Sequence, residues 1–168
     1  MTVLARKVSR AKWEPRGEGD DAIRADAVTE LRTTNDTLSF WHCESKERHH
    51  LERAVLALAA ANDKPDKIDV VFLEEAAIDS KAIERRHTPG DTPVESLREH
   101  HVDLEKLDLT SLCSVATLIA DACRGTAWHR VTRSDVLNLV AKAVSDGRVT
   151  LEALKPGMQE EVRKKLQR

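Results

Sequence analysis

Tyrosine is absent from this chain, and its other aromatics, three Trp and two Phe, make up 3% of the residues. A core must therefore be built from Leu, Val, Ile and Ala. The stacking platforms on which single-strand RNA and DNA modules seat their bases are scarce. Cysteine is scarce too: Cys43, Cys113 and Cys123 are an odd number with no CxxC spacing. That pattern argues against a disulfide framework and predicts reduced thiols in a cytoplasmic, bacterial-type protein. No apolar run approaches the roughly 20 residues of a membrane span. The opening MTVLARKVSRAKW is broken by charge too early for a secretory leader. The expectation is a soluble chain without a membrane partner. Neither sign of charge dominates, with 27 basic and 29 acidic residues, a formal charge of −2 and a pI near 6.4. Such a balance sets up no global field to attract nucleic acid or an anionic surface.

Several catalytic signatures are missing as well. There is no GxxxxGK[ST] phosphate cradle, although VVFLEE at 70–75 ends in acids as a nucleotide-hydrolase strand would. GxGxxG is reduced to Gly17 and Gly19, with no strand leading into them, and GxSxG does not occur.

What is present organises itself around residues 38–73. TLSFWHC reads as a strand, SKERHHLERAVLALAAA as a helix and IDVVFL as a second strand. Ser45 is the expected helix N-cap, and Leu51, Val55 and Leu58 with Ala54 and Ala61 form the apolar stripe. Pro65 ends the helical stretch. A strand, a helix and a strand in that order predict parallel neighbours joined by a right-handed crossover. Upstream, 27–43 reads as a hairpin whose turn is Asn35-Asp36. Residues 2–13 alternate apolar and basic residues, as an edge strand guarded by charge does. The segment 14–22, with Pro15, two glycines and four acids, reads as a loop.

Beyond residue 75 the pattern is helical: a short piece over 75–87, a turn at 88–93 with a capping box from Thr92 to Glu95, and a helix over 110–124 stopped by Gly125. A further helix is opened by Thr132 with Asp135 and closed by Gly147, and a tail helix carries Met158, Val162 and Leu166. The expected architecture is therefore one α+β domain over 1–168. A small mixed sheet in 1–75, made of the hairpin and the β-α-β unit, packs against a helical half in 76–168. With 168 residues, the chain can bury roughly 70% of its unfolded surface.

Four sets of side chains could carry function. Pro65-Asp66 followed by Asp79-Ser80-Lys81 fits the loose PD-(D/E)xK pattern, in which two acids hold a divalent metal and a lysine helps activate water. The segment holding Asp79 and Lys81 reads as helix rather than strand, which favours a helix-stopping proline and a solvated pair. His42, Cys43 and His49 gather at a strand-to-helix turn and could ligate zinc. No CxxC or HxxxH accompanies them, and adjacent histidines on a helix diverge by about 100°. Cys43 would need a base to act as a nucleophile, and His42 beside it lies on the opposite strand face. Arg6, Lys7, Arg10, Lys12 and Arg16 around Trp13, together with Arg85 and Arg86, are candidate phosphate contacts. The acidic segment at 14–22 offsets the first group. Arg130 and Arg133 alone are too few for a helix-turn-helix. Trp13, Trp41 and Trp128 are candidate exposed interface anchors.

With no complete catalytic set, no cofactor motif and no excess of basic charge, the residues favour a non-catalytic domain that binds another protein chain or itself. Nucleic-acid binding and a metal-dependent nuclease through Asp66, Asp79 and Lys81 are the alternatives.

Overall fold

The computed structural model describes residues 1–15, 17 and 22–167. Arg16, Gly19 and part of the expected 14–22 loop lie outside them. Strand β1 (Val3–Val8) is the centre of the sheet, not its edge. Val3, Leu4 and Ala5 are all fully buried, so both faces of the strand are covered. Two single helical turns follow, α1 (Arg10–Trp13) and α2 (Ala25–Val28). Next come β2 (Leu38–Cys43), α3 (Arg48–Ala60), β3 (Ile68–Glu74), α4 (Glu75–Asp79) and β4 (Glu84–His87). A 3₁₀ segment (Glu95–His100) leads into β5 (His101–Glu105), α5 (Leu109–Arg124), β6 (Trp128–Val131) and α6 (Arg133–Ser145). A short 3₁₀ turn (Leu151–Ala153) then precedes α7 (Pro156–Leu166).

The α+β class stands: a six-stranded sheet is founded in the first half, and helices predominate in the second. The sheet order is β4-β5-β2-β1-β3-β6, with every pairing antiparallel. The expected mixed sheet is thus corrected in one respect. Strands β2 and β3 do run the same way with α3 between them, but β1 is inserted and pairs antiparallel with both. The expected hairpin is half present. Asn35 and Asp36 take the left-handed conformation that a tight turn asks of both central residues (φ 52° and 57°). The upstream arm contributes only the Thr34–Thr37 bridge. It has no sheet edge to join, because β1 and β5 flank β2 on both sides. The helical reading of 75–87 holds for α4 alone, and β4, β5 and β6 are three strands within a stretch expected to be helical.

Alternation divides the sheet into two faces. On the front, Val3, Ala5, Trp41, Cys43, Ile68, Val70 and Phe72 meet α3, α6 and α7 in one core. On the back, Leu4, Val8, Leu38, Phe40, Val71, Leu73, Val102 and Leu104 meet α5, with Trp13, Leu31 and Ile78. Helices therefore cover both faces rather than one. Helix α6 starts where expected: Thr132 Oγ1 accepts from the Asp135 amide (3.2 Å) and donates to its carboxylate (2.7 Å). The loop after β4 folds back over the front face at Gly90. A Cβ there would stand 2.6 Å from Trp41 Cη2, so only glycine allows this approach.

Candidate functional site

A concavity of about 620 Å³ lies at the β6 edge of the sheet, between α3 and α6. Its floor is apolar, made by Leu51 and Val55 of α3, Val131 of β6 and Leu139 of α6. These positions follow from periodicity. Leu51 and Val55 are one turn apart on the buried stripe of α3. Val131 pairs with Ile68 and so shares the front face with it. The rim holds four cations, Lys46, Arg48, Arg130 and Lys142, against two carboxylates, Glu52 and Asp135, with His129 and Asn138 between them.

Three of these cations are tied to acids. Lys46 reaches Glu74 (3.1 Å) and Arg48 reaches Glu52 (2.8 Å). Arg130 forms a two-pronged pair with Asp69, from Nε at 2.7 Å and Nη2 at 3.0 Å. Asp69 is 6% exposed, and the Arg130 hydrogen bonds hold its carboxyl below the ordinary carboxylate range. The same pairings raise the Arg130 and Arg48 guanidinium pKa values. Lys142 has no ion-pair partner among the described residues. The groove is thus an apolar floor with a largely ion-paired rim, on which Lys142 is the cation left without an acid among the described residues.

The residues singled out from sequence fall elsewhere. Asp66 precedes β3 and caps the Lys67 amide (2.7 Å), whereas Asp79 follows β3 at the end of α4 and pairs with Arg85 (2.9 Å). Seven residues of strand separate them, roughly 23 Å at about 3.3 Å per residue, so they do not share one metal. Lys81 is exposed. The His42, Cys43 and His49 set does not assemble. Cys43 is buried on the front face, His42 projects from the back and His49 is exposed on α3. No group of three or more candidate ligands is found among the described residues. Burial pushes the Cys43 thiol up to about 11 and the Cys123 thiol to about 12, so neither is a thiolate nucleophile at neutral pH.

Trp13 (3% exposed) and Trp41 (7%) are core residues, which corrects their reading as exposed anchors. Trp128 is half-buried, with the Arg10 guanidinium 3.6 Å above its ring centre. The candidate phosphate contacts are dispersed. Arg6 is turned inward to the Ser39 and Glu30 carbonyls. Lys12 pairs with Glu30, Arg85 with Glu75 and Asp79, and Arg86 with Glu105. Lys7 is exposed on β1.

A second gathering, at the far end of β2, was hidden in the sequence because its members come from distant segments. His42 Nε2 lies 3.5 Å from Glu75, which also takes Arg85 (3.1 Å), and the His87 ring stands 5.8 Å from that of His42. Beside it His100 touches Arg53, and burial, with the Arg53 charge next, lowers the His100 pKa. The space enclosed by Trp41, His42, Arg53, Ala54, Leu97 and His100 is about 10 Å³. That is room for one water at most, not for a substrate.

Comparison with known proteins found no matching family model, no matching curated protein and no matching solved structure. Among the described residues, no helix is long and apolar enough to cross a membrane.

Proposed function

We propose that this chain is a protein-binding domain whose docking surface is the groove between α3, β6 and α6, occupied by a segment of another protein. The observation that carries this reading is an apolar floor beside a sheet edge, where Val131 and Leu139 are partly exposed above the buried Leu51 and Val55. A hydrophobic groove or an open sheet edge that takes a segment of a partner is a recurring mode of peptide recognition. Four aliphatic side chains suit a protein partner better than a sugar-phosphate backbone, and three of the four rim cations are already closed by carboxylates. An acid–base centre finds less support, since the space that His42 and His100 line with Arg53 is too small for a substrate.

The test is a selection of peptides from a random library on the intact chain, with Leu139→Arg as the counter-target. Leu139 is only partly buried, so the variant should fold while losing the floor. Recovered peptides that bind the unaltered chain and lose at least tenfold on Leu139→Arg support the reading. Peptides that bind both equally, or a salt-dependent gel shift with single-stranded oligonucleotides that Leu139→Arg leaves unchanged, contradict it.

A further inference from the structure

The two edges of the sheet are built differently. Edge β4 reads Glu84-Arg85-Arg86-His87, and its charges are locked: Glu84 to Lys106 (2.7 Å), Arg85 to Glu75 and Asp79, Arg86 to Glu105. That is how a sheet edge is closed to further pairing. Edge β6 reads Trp128-His129-Arg130-Val131 and pairs, among the described residues, with β3 alone. Its back is fixed, because Arg130 is clamped by Asp69 and Trp128 lies under Arg10. Its front, carrying His129 and Val131, opens directly into the groove. The outer backbone of β6 therefore lies beside the partly exposed Val131 and Leu139 and the Lys142 ammonium, on strand residues that cannot easily turn away.

We infer that the occupant adds a strand to β6: an extended segment of a different protein, alternating apolar and acidic residues, the apolar ones seated on Val131 and Leu139 and an acid facing Lys142. This rests on the docking reading above and specifies its partner. Strand addition supplies affinity through main-chain hydrogen bonds, and alternate side chains supply specificity. Charge selects the sign: Lys46, Arg48 and Arg130 are paired with Glu74, Glu52 and Asp69, whereas Lys142 has no ion-pair partner among the described residues and is left to meet an acid. Charge also excludes a second copy. Pairing β6 with β6 would offer Lys142 only Trp128-His129-Arg130-Val131, which holds no acid.

The experiment uses the full chain and three acetylated, amidated heptapeptides: alternating Glu and Val, alternating Lys and Val, and the Glu/Val peptide N-methylated at alternate amides so that it cannot pair as a strand. Binding is followed by methyl shifts of Leu51, Val55 and Leu139 and by hydrogen exchange of the β6 amides. The expected result is that the Glu/Val peptide shifts the methyls and slows β6 exchange, and that the N-methylated and Lys/Val peptides bind at least tenfold more weakly. Lys142→Glu should reverse the preference between the Glu and Lys peptides. Methyl shifts without slowed β6 exchange, or equal binding of the N-methylated peptide, would overturn strand addition and leave groove docking intact. Equal binding of the Lys/Val peptide would overturn the acidic partner. If the Glu/Val peptide leaves the methyls unmoved, the strand inference fails, and the library selection alone then decides the docking reading.

Discussion

Replacing Gly90 by alanine adds one methyl group at the tightest contact on the front face. The new Cβ would lie 2.6 Å from Trp41 Cη2, 2.9 Å from His101 Cβ and 3.1 Å from Trp41 Cζ3. Trp41 is 7% exposed and in edge-to-face contact with His101, with ring centres 5.2 Å apart. His101 is held in turn by Thr88, which also donates to Asp103. Neither contact is the free end of a flexible chain, so the loop or the indole must move. Overpacking of this kind costs about 1–3 kcal/mol. Loss of glycine's freedom in the unfolded chain returns about 0.4–1 kcal/mol. The net expectation is about 1–2 kcal/mol of destabilisation, or a midpoint about 2–8 °C lower for a chain of this size. Urea and thermal melts of the purified protein measure it.

A second substitution isolates the cause. Trp41→Phe removes both Cη2 and Cζ3, so Gly90→Ala in that background should cost about 1 kcal/mol less, a coupling that a double-mutant cycle resolves. The reasoning is refuted if Gly90→Ala melts at or above the parent, or if its cost is the same with phenylalanine at position 41.

The remaining predictions concern charge and thiols. Asp69 has its pKa lowered by Arg130, so its contribution is fully present above the ordinary carboxylate value near 4 and is lost as pH falls through its lower native value. Asp69→Asn should therefore melt about 2–4 °C below the parent at pH 7, the equivalent of one net hydrogen bond, and the gap should close below about pH 4. A gap independent of pH would contradict this. Cys113 is exposed while Cys43 and Cys123 are buried, and burial raises both buried thiols. A maleimide at pH 7.5 should add to the native chain once, rapidly, with the other two sites following only on unfolding, as mass spectrometry would show.

Helices with clear periodicity and a capping side chain could be read from residues alone. Helix α6 begins at the Thr132–Asp135 cap, and α5 carries Val115, Ile119 and Cys123 inward as its spacing implies. The strands of the second half were harder for specific reasons. Strand β4 contains no apolar residue, so nothing in ERRH signals a period of two. Strand β5 alternates strictly, with Val102 and Leu104 inward, but it is five residues long and follows a capping-box pattern that ends in a 3₁₀ turn. Strand β1 looked like an edge because of Arg6 and Lys7. The Arg6 guanidinium instead bonds the Ser39 carbonyl (2.6 Å) and the Glu30 carbonyl (2.7 Å), where β1 and β2 part. A cation satisfied by main-chain oxygens is invisible to patterning.

The groove was illegible for a different reason. Leu51 reads as a core position of its helix, while Val131 falls in the connection before α6 and Leu139 belongs to no motif, and only the β3–β6 pairing brings α3 and α6 together around an open edge. Placing β6 beside β3 needs the register Ile68↔Val131 to Val71↔Trp128, which a four-residue segment does not announce.

The most direct measurement is amide hydrogen exchange across Trp128–Val131 in the intact chain, with and without a saturating peptide recovered on the groove. Outward-facing β6 amides should slow by at least tenfold while those of β4 keep their rates, and Leu139→Arg should abolish the effect. Unchanged exchange along β6, or equal slowing in Leu139→Arg, would contradict strand addition at the groove.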